Sequence, residues 1–518
     1  MSKNNSRVVL SLVLCLILVI MTGCSSAPAP GGSKTGALKD MVVAIGTDAS
    51  TLDPHKCTDS ATEVINKNIY NNLVRFDANM KLAPDLATEW QLAGDGVTWT
   101  FKLRKGVTFH DGTPFNAAAV KYNIERVLDP KTASARRSVL AMIKSVEVID
   151  DSTVKMVTSY PIGSFLYQLA HPVAGMVSPA AAAKFGVEKL GLNPVGTGAL
   201  KFVKWLPGEK LEFVAFDKYY AGAPQFKSLT FSIVPEDSTR AMLLESGQID
   251  VALRLPVTDV ARLKNNKNIM MTTTPTIMTM YIALHNQKGP LKDSRVRQAL
   301  NYAVDKNALV KDVVGGSAVV ADSVIPPGVS NYSSVGNYPH DPAKAKELLS
   351  QAGFPNGFEI TLWTPSGRYL MDKQVAEVLQ AQMSAVGVKM NVRTWDFQAL
   401  MAEVKKGQFD AVLLGWSAST ADADQAMYPV FESTQFPPNS NRAFYKNSDV
   451  DLLLNNAKKE MNPDKRAGMY KQAQQQIMKD AAWIPLFYPK QSIAYRANVS
   501  GIEVLPTEHM LFYGAQKK

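Results

Sequence analysis

The chain has 518 residues, of which 46% are apolar and 20% are charged. This composition is typical of a globular protein and excludes a disordered chain. The formal net charge is +10, but the basic residues are spread along the sequence instead of forming a block, which argues against nucleic acid as a partner.

The first 23 residues have the order of an export signal. Lys3 and Arg7 precede an apolar segment, residues 8–21, and Thr22 and Gly23 are the small residues expected before a cleavage site. The segment has 14 residues, fewer than the roughly 20 that a membrane-spanning helix needs. We therefore predict a cleaved signal peptide, residues 1–23, whose removal lowers the net charge from +10 to +8.

Cys24 follows the predicted cleavage point, and this arrangement resembles a bacterial lipobox, with Met21 in place of the usual Leu. The resemblance implies diacylation of the Cys24 thiol, and two acyl chains are enough to hold a protein on a membrane. Residues 24–37 contain no large apolar side chain and are predicted to form a flexible tether. The protein is then lipid-anchored outside the cytoplasm, at the cell surface or in the periplasm. An ordinary secretory signal and an uncleaved anchor are the alternatives.

The remaining body, of about 480 residues, is too long for one hydrophobic core and predicts two or more lobes. In its first half, residues 41–45 read as a buried strand, and the loop at residues 46–54 follows it. In residues 98–110, apolar side chains recur at every second position on both sides of Gly106, and this pattern predicts a hairpin. Two further strands are expected around residues 211–215 and 229–233.

The second half alternates helices with strands, which predicts an α/β lobe with parallel pairing. Asp341 and Pro342 open a helix that Gly353 ends. The expected elements after it are a helix at 373–386, a strand at 388–394, a helix at 397–406 and a strand at 411–414.

A long polar loop is expected after the last of these strands, from Ser417 to Asn441. Gly415 and Trp416 are placed just beyond the strand, where an open parallel sheet presents its ligand crevice. A long polar loop at such a place is a candidate for function.

Motifs of catalysis and metal binding are absent from the sequence. It contains no HExxH, GxSxG, GxxxxGK[ST] or CxxC motif, and its six histidines are scattered singly. Cys57 is the one thiol of the mature body besides Cys24, so no disulfide framework is expected. The sequence therefore predicts neither an enzyme nor a protein with a cofactor or a metal site.

Several stretches resemble one protein family. They are Leu52-Asp53-Pro54, WTFKLRKGVTFHDGTPF at 99–115, PVGTGALKF at 194–202, PEDSTRAMLLESGQID at 235–250 and RVRQALNYAVD at 295–305. On these residues the chain resembles the family 5 extracellular solute-binding proteins, which are the receptors of peptide and nickel type ABC importers.

Four shorter stretches are most similar to the glutathione-binding members of that family. These are FNAAAVK at 115–121, PNGFEITLW at 355–363, GWSAST at 415–420 and AFY at 443–445. Ala119 replaces an Asp that is common elsewhere in the family. The resemblance thus implies glutathione as the ligand.

The resemblance also implies the architecture and the partners. The expected fold class is α/β, with two lobes of the periplasmic-binding-protein type, a hinge, and an extra subdomain in lobe one. The expected divisions are lobe one at 38–274, lobe two at 275–487 and a return to lobe one at 488–518. The expected partners are a small peptide, an ABC permease with its ATPase, and the membrane through the lipid anchor. The protein is expected to be a monomer.

A bound peptide needs an acidic partner for its ammonium and a basic partner for its carboxylate. By resemblance, Asp422 and Asp424 lie where peptide-binding relatives place the partner of the α-amine, and Asp424 is the first choice. Arg368 is the candidate for the carboxylate, with Lys373 and Arg442 as substitutes. An Asx turn and solvated surface are the structural alternatives.

Five further residues complete the predicted ligand-binding set through their positions near the ends of lobe strands. Trp416 is expected to stack on the ligand, although lobe packing explains it equally well. The others are Thr47, Asp48, Tyr281 and Ser417.

Two other functions stay open on the sequence. One is a receptor for di- or oligopeptides, a nickel chelate or haem, since related receptors change ligand through a few pocket side chains. The other is a sensor or adhesion lipoprotein that uses the closed lobes as a contact surface.

Overall fold

The computed structural model describes residues 38–255 and 257–518. The predicted signal peptide, Cys24 and the tether lie outside the described residues. No helix within the described ranges is long and apolar enough to cross a membrane.

The strands are β1 (Asp40–Ile45), β2 (Val74–Phe76), β3 (Leu82–Pro84), β4 (Ala87–Leu92), β5 (Thr98–Leu103), β6 (Ile143–Asp150), β7 (Thr153–Thr158), β8 (Leu200–Leu206), β9 (Lys210–Ala215), β10 (Ser228–Ile233), β11 (Val251–Leu253), β12 (Ile269–Pro275), β13 (Met278–Leu284), β14 (Ala318–Val320), β15 (Phe358–Pro365), β16 (Val388–Trp395), β17 (Ala411–Ser417), β18 (Trp483–Arg496), β19 (Val499–Ser500), β20 (Glu503–Val504), β21 (Met510–Leu511) and β22 (Gln516–Lys517). The helices are α1 (Ser60–Ile69), α2 (Ala117–Leu128), α3 (Phe165–Leu169), α4 (Pro179–Lys189), α5 (Asp237–Ser246), α6 (Val257–Leu263), α7 (Ser294–Ala303), α8 (Lys306–Ala308), α9 (Pro342–Gln351), α10 (Asp372–Ser384), α11 (Phe397–Val404), α12 (Ala423–Phe431), α13 (Ser448–Lys459) and α14 (Pro463–Lys479).

Lobe one is built around β1, which pairs in parallel with β10 and β11. The order continues outward through antiparallel β9 and β8. Met41 and Val43 of β1 are fully buried and share a core cluster with Phe213, Phe231 and Phe512. Burial of side chains of this size contributes roughly 1.5 to 3 kcal/mol each. The predicted strands at 41–45, 211–215 and 229–233 are confirmed.

The extra subdomain of lobe one is a four-stranded antiparallel sheet in the order β4-β5-β7-β6. The predicted hairpin at 98–110 is wrong. Gly106 does make a turn with positive φ, but β5 pairs with β4 and β7, and the chain after the turn forms only one isolated bridge, from Thr108 to Pro114. The alternating apolar residues pack inward on partners that are distant in sequence.

Lobe two has the predicted α/β pattern. Its sheet runs β16-β15-β17-β13-β18, and β15 pairs in parallel with both β16 and β17. The helices α9, α10 and α11 begin within one residue of their predicted starts and end within about one turn of their predicted ends. The Asp341 side chain caps α9 by accepting a hydrogen bond from the Lys344 backbone N–H at 2.8 Å.

Two predictions on the segment after residue 410 are wrong. Strand β17 continues to Ser417, so Gly415 and Trp416 belong to the strand and pair with β13. The expected loop contains α12, in spite of Pro429 within it. The helix forms because Ala426, Met427, Val430 and Phe431 recur on one face and are buried.

The two lobes share β18, a strand of 14 residues. Its first half pairs with β13 and β14, and its second half pairs with β11 and β12. The predicted lobe boundaries, 274/275 and 487/488, fall at the last residue of β12 and within β18; they stay predictions.

Candidate functional site

The segment between β17 and α12 lies between two cavities, and residues of both lobes line each of them. Thr420 lines one of them and Ser419 lines the other. The first, which we call the Asp424 cavity, has a volume of about 350 Å³. Lobe one contributes residues from 138 to 168, and lobe two contributes Asp424, Gln425, Tyr428, Pro429 and Lys458.

Asp424 presents an unsatisfied carboxylate to its cavity. It lies in the first turn of α12, and its Oδ1 is enclosed without a hydrogen-bond partner in the described structure. Burial raises the pKa of this carboxyl to about 6. Gln168 lines the same cavity from lobe one, and its Oε1 also has no partner among the described residues. Two enclosed acceptors in one cavity favour a ligand that donates hydrogen bonds, such as an ammonium group.

Asp422 has a different role, because its carboxylate is already occupied. Arg466 donates to it from both terminal nitrogens, at 2.6 and 3.0 Å, and the Ser330 hydroxyl donates at 2.6 Å. Asp422 also caps α12 through the Asp424 backbone N–H at 2.8 Å. The Asp422 side chain is fully buried. The Asp422 carboxylate thus has partners within lobe two, whereas the Asp424 carboxylate is available.

The second cavity, which we call the basic chamber, has a volume of about 300 Å³. Lys67, Arg75 and Arg104 line it, and Asp85 is its one acidic lining residue. The other polar, aromatic and apolar lining residues come mainly from lobe one, with Ser419 from lobe two: Tyr70, Asn71, Phe76, Pro84, Ala170, Pro172, Tyr219, Tyr220, Ala221, Ser419, Leu505, Thr507, His509, Leu511 and Tyr513.

Three separate elements bring the cations of the basic chamber together. Lys67 lies in the last turn of α1, whose first turn is capped by Asp59. Arg75 lies on the short strand β2, and Arg104 directly follows β5. Because these three residues belong to different elements, no local sequence pattern predicts the chamber.

Four predicted residues lie on lobe two near the end of β17, and none lines either cavity. Trp416 is half-buried, and its indole Nε1–H donates to the Gln425 carbonyl at 3.3 Å. Ser417 is exposed at the end of the strand. Tyr281 is fully buried and stacks on Trp483 at 3.5 Å. Burial raises the pKa of Tyr281, and the nearby Arg442 opposes that rise.

The other predicted residues are farther from the cavities or already occupied. Arg368 is exposed, with its guanidinium over the rings of Tyr369 and Phe397 at 5.4 and 5.0 Å. Lys373, its substitute, is exposed as well. Asp48 accepts hydrogen bonds from the Trp205 indole and the Gly208 backbone N–H, at 3.1 and 2.7 Å.

Thr47 lines a separate small cavity of about 160 Å³ in lobe one. Of the nine predicted ligand-binding residues, Asp424 alone therefore lines one of the two cavities between the lobes. The roles of the others in ligand binding stay predictions.

The lobes touch directly beside the Asp424 cavity. The Gly163 backbone N–H of lobe one donates to the Lys458 carbonyl of lobe two at 3.2 Å. A β-carbon on Gly163 would lie 2.6 Å from Arg466 Nε and 2.7 Å from the Glu460 carbonyl oxygen. The absence of a side chain at Gly163 thus permits this close approach.

Comparison with known proteins assigns the chain to a family. The family model of the bacterial extracellular solute-binding proteins, family 5 Middle, matches residues 81–438. The glutathione-binding protein GsiB of Shigella dysenteriae is 38% identical over 511 residues, which are 97% of this chain and 98% of that protein.

Two solved structures have the same fold. HbpA2 from Haemophilus parasuis matches with a TM-score of 0.86 and 28% identity, over 93% of this chain and 100% of that one. The periplasmic binding protein DppA from Helicobacter pylori, in complex with the peptide STSA, matches with a TM-score of 0.75 and 29% identity, over 92% and 98%. The predicted two-lobed fold is thus confirmed, and the chain belongs to family 5 of the bacterial extracellular solute-binding proteins.

Proposed function

We propose that this protein is the solute receptor of an ABC importer, and that it captures glutathione between its lobes and delivers it to a permease driven by an ATPase. The ligand is bound and released without chemical change. The observation that carries the proposal is the enclosed, unpaired Oδ1 of Asp424, in a cavity with walls from both lobes. The likeness to GsiB over nearly the whole chain supports glutathione as the ligand.

The chemistry of glutathione fits this environment. The tripeptide carries one ammonium and two carboxylates, and a buried charge needs a partner of opposite sign. We assign its ammonium to Asp424. The two cavities, about 350 and 300 Å³, are each at the lower end of the range for ligand pockets, roughly 300 to 1,000 Å³.

We further propose that Cys24 is lipidated and that residues 24–37 tether the receptor to the cell membrane. Support comes from the sequence alone, through the order of charged, apolar and small residues before Cys24. A tether of this composition leaves the lobes free to turn toward a permease in the same membrane.

Calorimetry on the chain from residue 25 onward tests the ligand assignment. The protein is first unfolded and refolded to remove any ligand carried through purification. It is then titrated with reduced glutathione, oxidised glutathione, a set of dipeptides, the peptide STSA and nickel–histidine. Saturable binding of glutathione with no response to the others is the expected result. A preference for ordinary peptides or for the nickel chelate would keep the importer role and refute glutathione.

A further inference from the structure

The cations of the basic chamber have no acidic partner of their own. Elsewhere in the described structure, the buried Arg126 and Arg466 have carboxylate partners, Asp53 and Asp422, each at 2.6 Å, whereas the buried Arg297 donates only to backbone carbonyls. Within the same described ranges, Lys67, Arg75 and Arg104 form no ion pair. All three are half-buried, so water screens them only in part.

The hydrogen bonds of these cations use few of their donors. Arg75 donates one bond from a terminal nitrogen to the Phe76 carbonyl at 3.2 Å. Arg104 donates Nε–H to the Asp85 carbonyl at 3.2 Å, and its guanidinium lies 4.6 Å from the centre of the Tyr220 ring. Lys67 donates to Asn72 and to the Ala170 carbonyl, at 2.9 and 3.2 Å. The forked ends of both guanidinium groups thus keep N–H groups to offer.

The chamber's own carboxylate offsets only part of this positive charge. Asp85 is buried, and it accepts hydrogen bonds from the Tyr220 hydroxyl at 2.5 Å, the Asn72 backbone N–H at 2.9 Å and the Asn71 side chain at 3.1 Å. Burial lowers the pKa of Lys67 to about 8, and Asp85 and Glu63 oppose this fall. Burial also works to lower the pKa of Arg75, but its acidic neighbours Asp85 and Glu503 help to raise it above its usual value. Three cations face one carboxylate within the lining, so the lining itself carries an excess of positive charge.

We propose that the basic chamber binds the carboxylates of the captured peptide through Arg75 and Arg104, with Lys67 beside them, and so selects acidic peptides over neutral and cationic ones. This inference rests on the proposed function, since it names the ligand class of the same cleft. In this proposal Arg75 and Arg104 bind the ligand's carboxylates, the role predicted from the sequence for Arg368.

The position of the chamber suits a ligand with charges at both ends. Ser419 lines the chamber and Thr420 lines the Asp424 cavity, and Gln425 holds this segment by donating to the Ser419 hydroxyl at 2.8 Å and accepting from the Thr420 backbone N–H at 2.7 Å. A peptide with its ammonium at Asp424 therefore has its acidic groups directed to the chamber across one short segment.

A double variant, Arg75→Gln with Arg104→Gln, tests the inference in the chain from residue 25 onward. Its matched control, Lys227→Gln with Lys264→Gln, removes the same charge from two exposed lysines. Glutathione and glutathione dimethyl ester, whose carboxylates are masked, are titrated into the wild type and both variants by calorimetry.

The wild type is expected to bind glutathione about 30-fold or more tightly than the ester, since each charge-assisted hydrogen bond lost weakens binding about 10-fold to 100-fold. In the double variant this preference collapses to within about 3-fold, whereas the control keeps it. The melting temperatures of the ligand-free wild type and both variants are measured to show that each protein is folded. A double variant that keeps the preference overturns the inference, as does a double variant that no longer folds, which would assign the arginines to the fold.

Failure of the proposed ligand is distinguishable from failure of this inference. If the wild type does not bind glutathione, the ligand assignment is wrong, and the same variants are titrated with glutamyl-glutamate and glutaminyl-glutamine. A preference for the acidic dipeptide that the double variant loses retains the chamber as the selecting site. Equal binding of the two dipeptides, or binding of neither, overturns it.

Discussion

Replacing Asp424 by asparagine separates a binding role from a structural one, because the two roles predict opposite effects on stability. Burial raises the pKa of Asp424 from 3.8 to about 6. At about 1.4 kcal/mol per pH unit, the charged carboxylate then destabilises the ligand-free fold by about 3 kcal/mol at neutral pH. Asp424→Asn should remove this cost and raise the melting temperature by about 3 °C if the body unfolds as one unit.

The pH dependence gives the sign of this effect a second test. The folded-state pKa lies above the unfolded value, so the unfolded chain loses its proton first as the pH rises. The contribution of the protonated carboxyl to the free energy of unfolding is fully present below about pH 4 and is lost between about pH 4 and pH 6. Calorimetric scans of the wild type and the variant should therefore diverge between these values and run parallel above and below them.

Ligand binding should change in the opposite direction. The variant removes the counter-charge of the ligand's ammonium, so we expect glutathione affinity to fall by more than about 10-fold at neutral pH. Wild-type affinity should also fall as the pH drops below 6, and the variant should not follow it. Asp312→Asn, at an exposed carboxylate, is the control. A variant that is less stable than the wild type, or that binds equally well, would refute the reasoning.

Three further predictions follow from the contacts described above. Arg466→Met leaves the Asp422 carboxylate buried without its partner and should destabilise the protein by about 3 to 5 kcal/mol in urea denaturation, and a cost below about 1 kcal/mol would contradict the pairing. Gly163→Leu should hold the lobes apart and weaken ligand binding by about 10-fold in calorimetry, whereas Gly94→Leu, at a position with open space, should bind normally. Cys24→Ser should move the protein from the membrane fraction to the soluble fraction with unchanged affinity, and retention on membranes would indicate an uncleaved anchor.

Local signals predicted lobe two well. Helix α9 lies between a capping aspartate, Asp341, and Gly353, which adopts a positive φ. Gly387 ends the α10 segment with positive φ in the same way. Where such capping residues flank a periodic apolar pattern, the sequence predicts both ends of the helix.

The wrong predictions of secondary structure have physical causes of two kinds. The alternating pattern predicts that the residues after Gly106 pair with β5. Strand β7, some fifty residues further along the chain, pairs with β5 instead. In α12, tertiary packing of Met427 and Phe431 outweighs the helix-breaking tendency of Pro429. Strand partners and core packing are set by the whole fold, so neither is visible in a short window.

The candidate site was predictable only in part for the same reason. Asp424 is predicted by resemblance, because it lies in the loop where peptide-binding relatives place the partner of the ligand's amine. The structure places it in a cavity lined by both lobes. Arg75 lies on a three-residue strand and Arg104 directly follows β5, and only the folded chain brings them to one cavity. Arg368 is predicted by resemblance to a carboxylate-binding arginine of relatives, and its guanidinium lies over two aromatic rings, those of Tyr369 and Phe397.

The shared strand β18 also determines when the protein can fold during its synthesis. Lobe one begins at residue 40, but its sheet needs the pairing of Val251 with Tyr495, and its core needs Phe512, whose backbone N–H donates to the Asn68 side chain at 2.9 Å. The last ten residues of the chain are thus required to close the first lobe. A nascent chain must therefore remain open until it is almost complete, and C-terminal truncation should prevent the N-terminal lobe from folding.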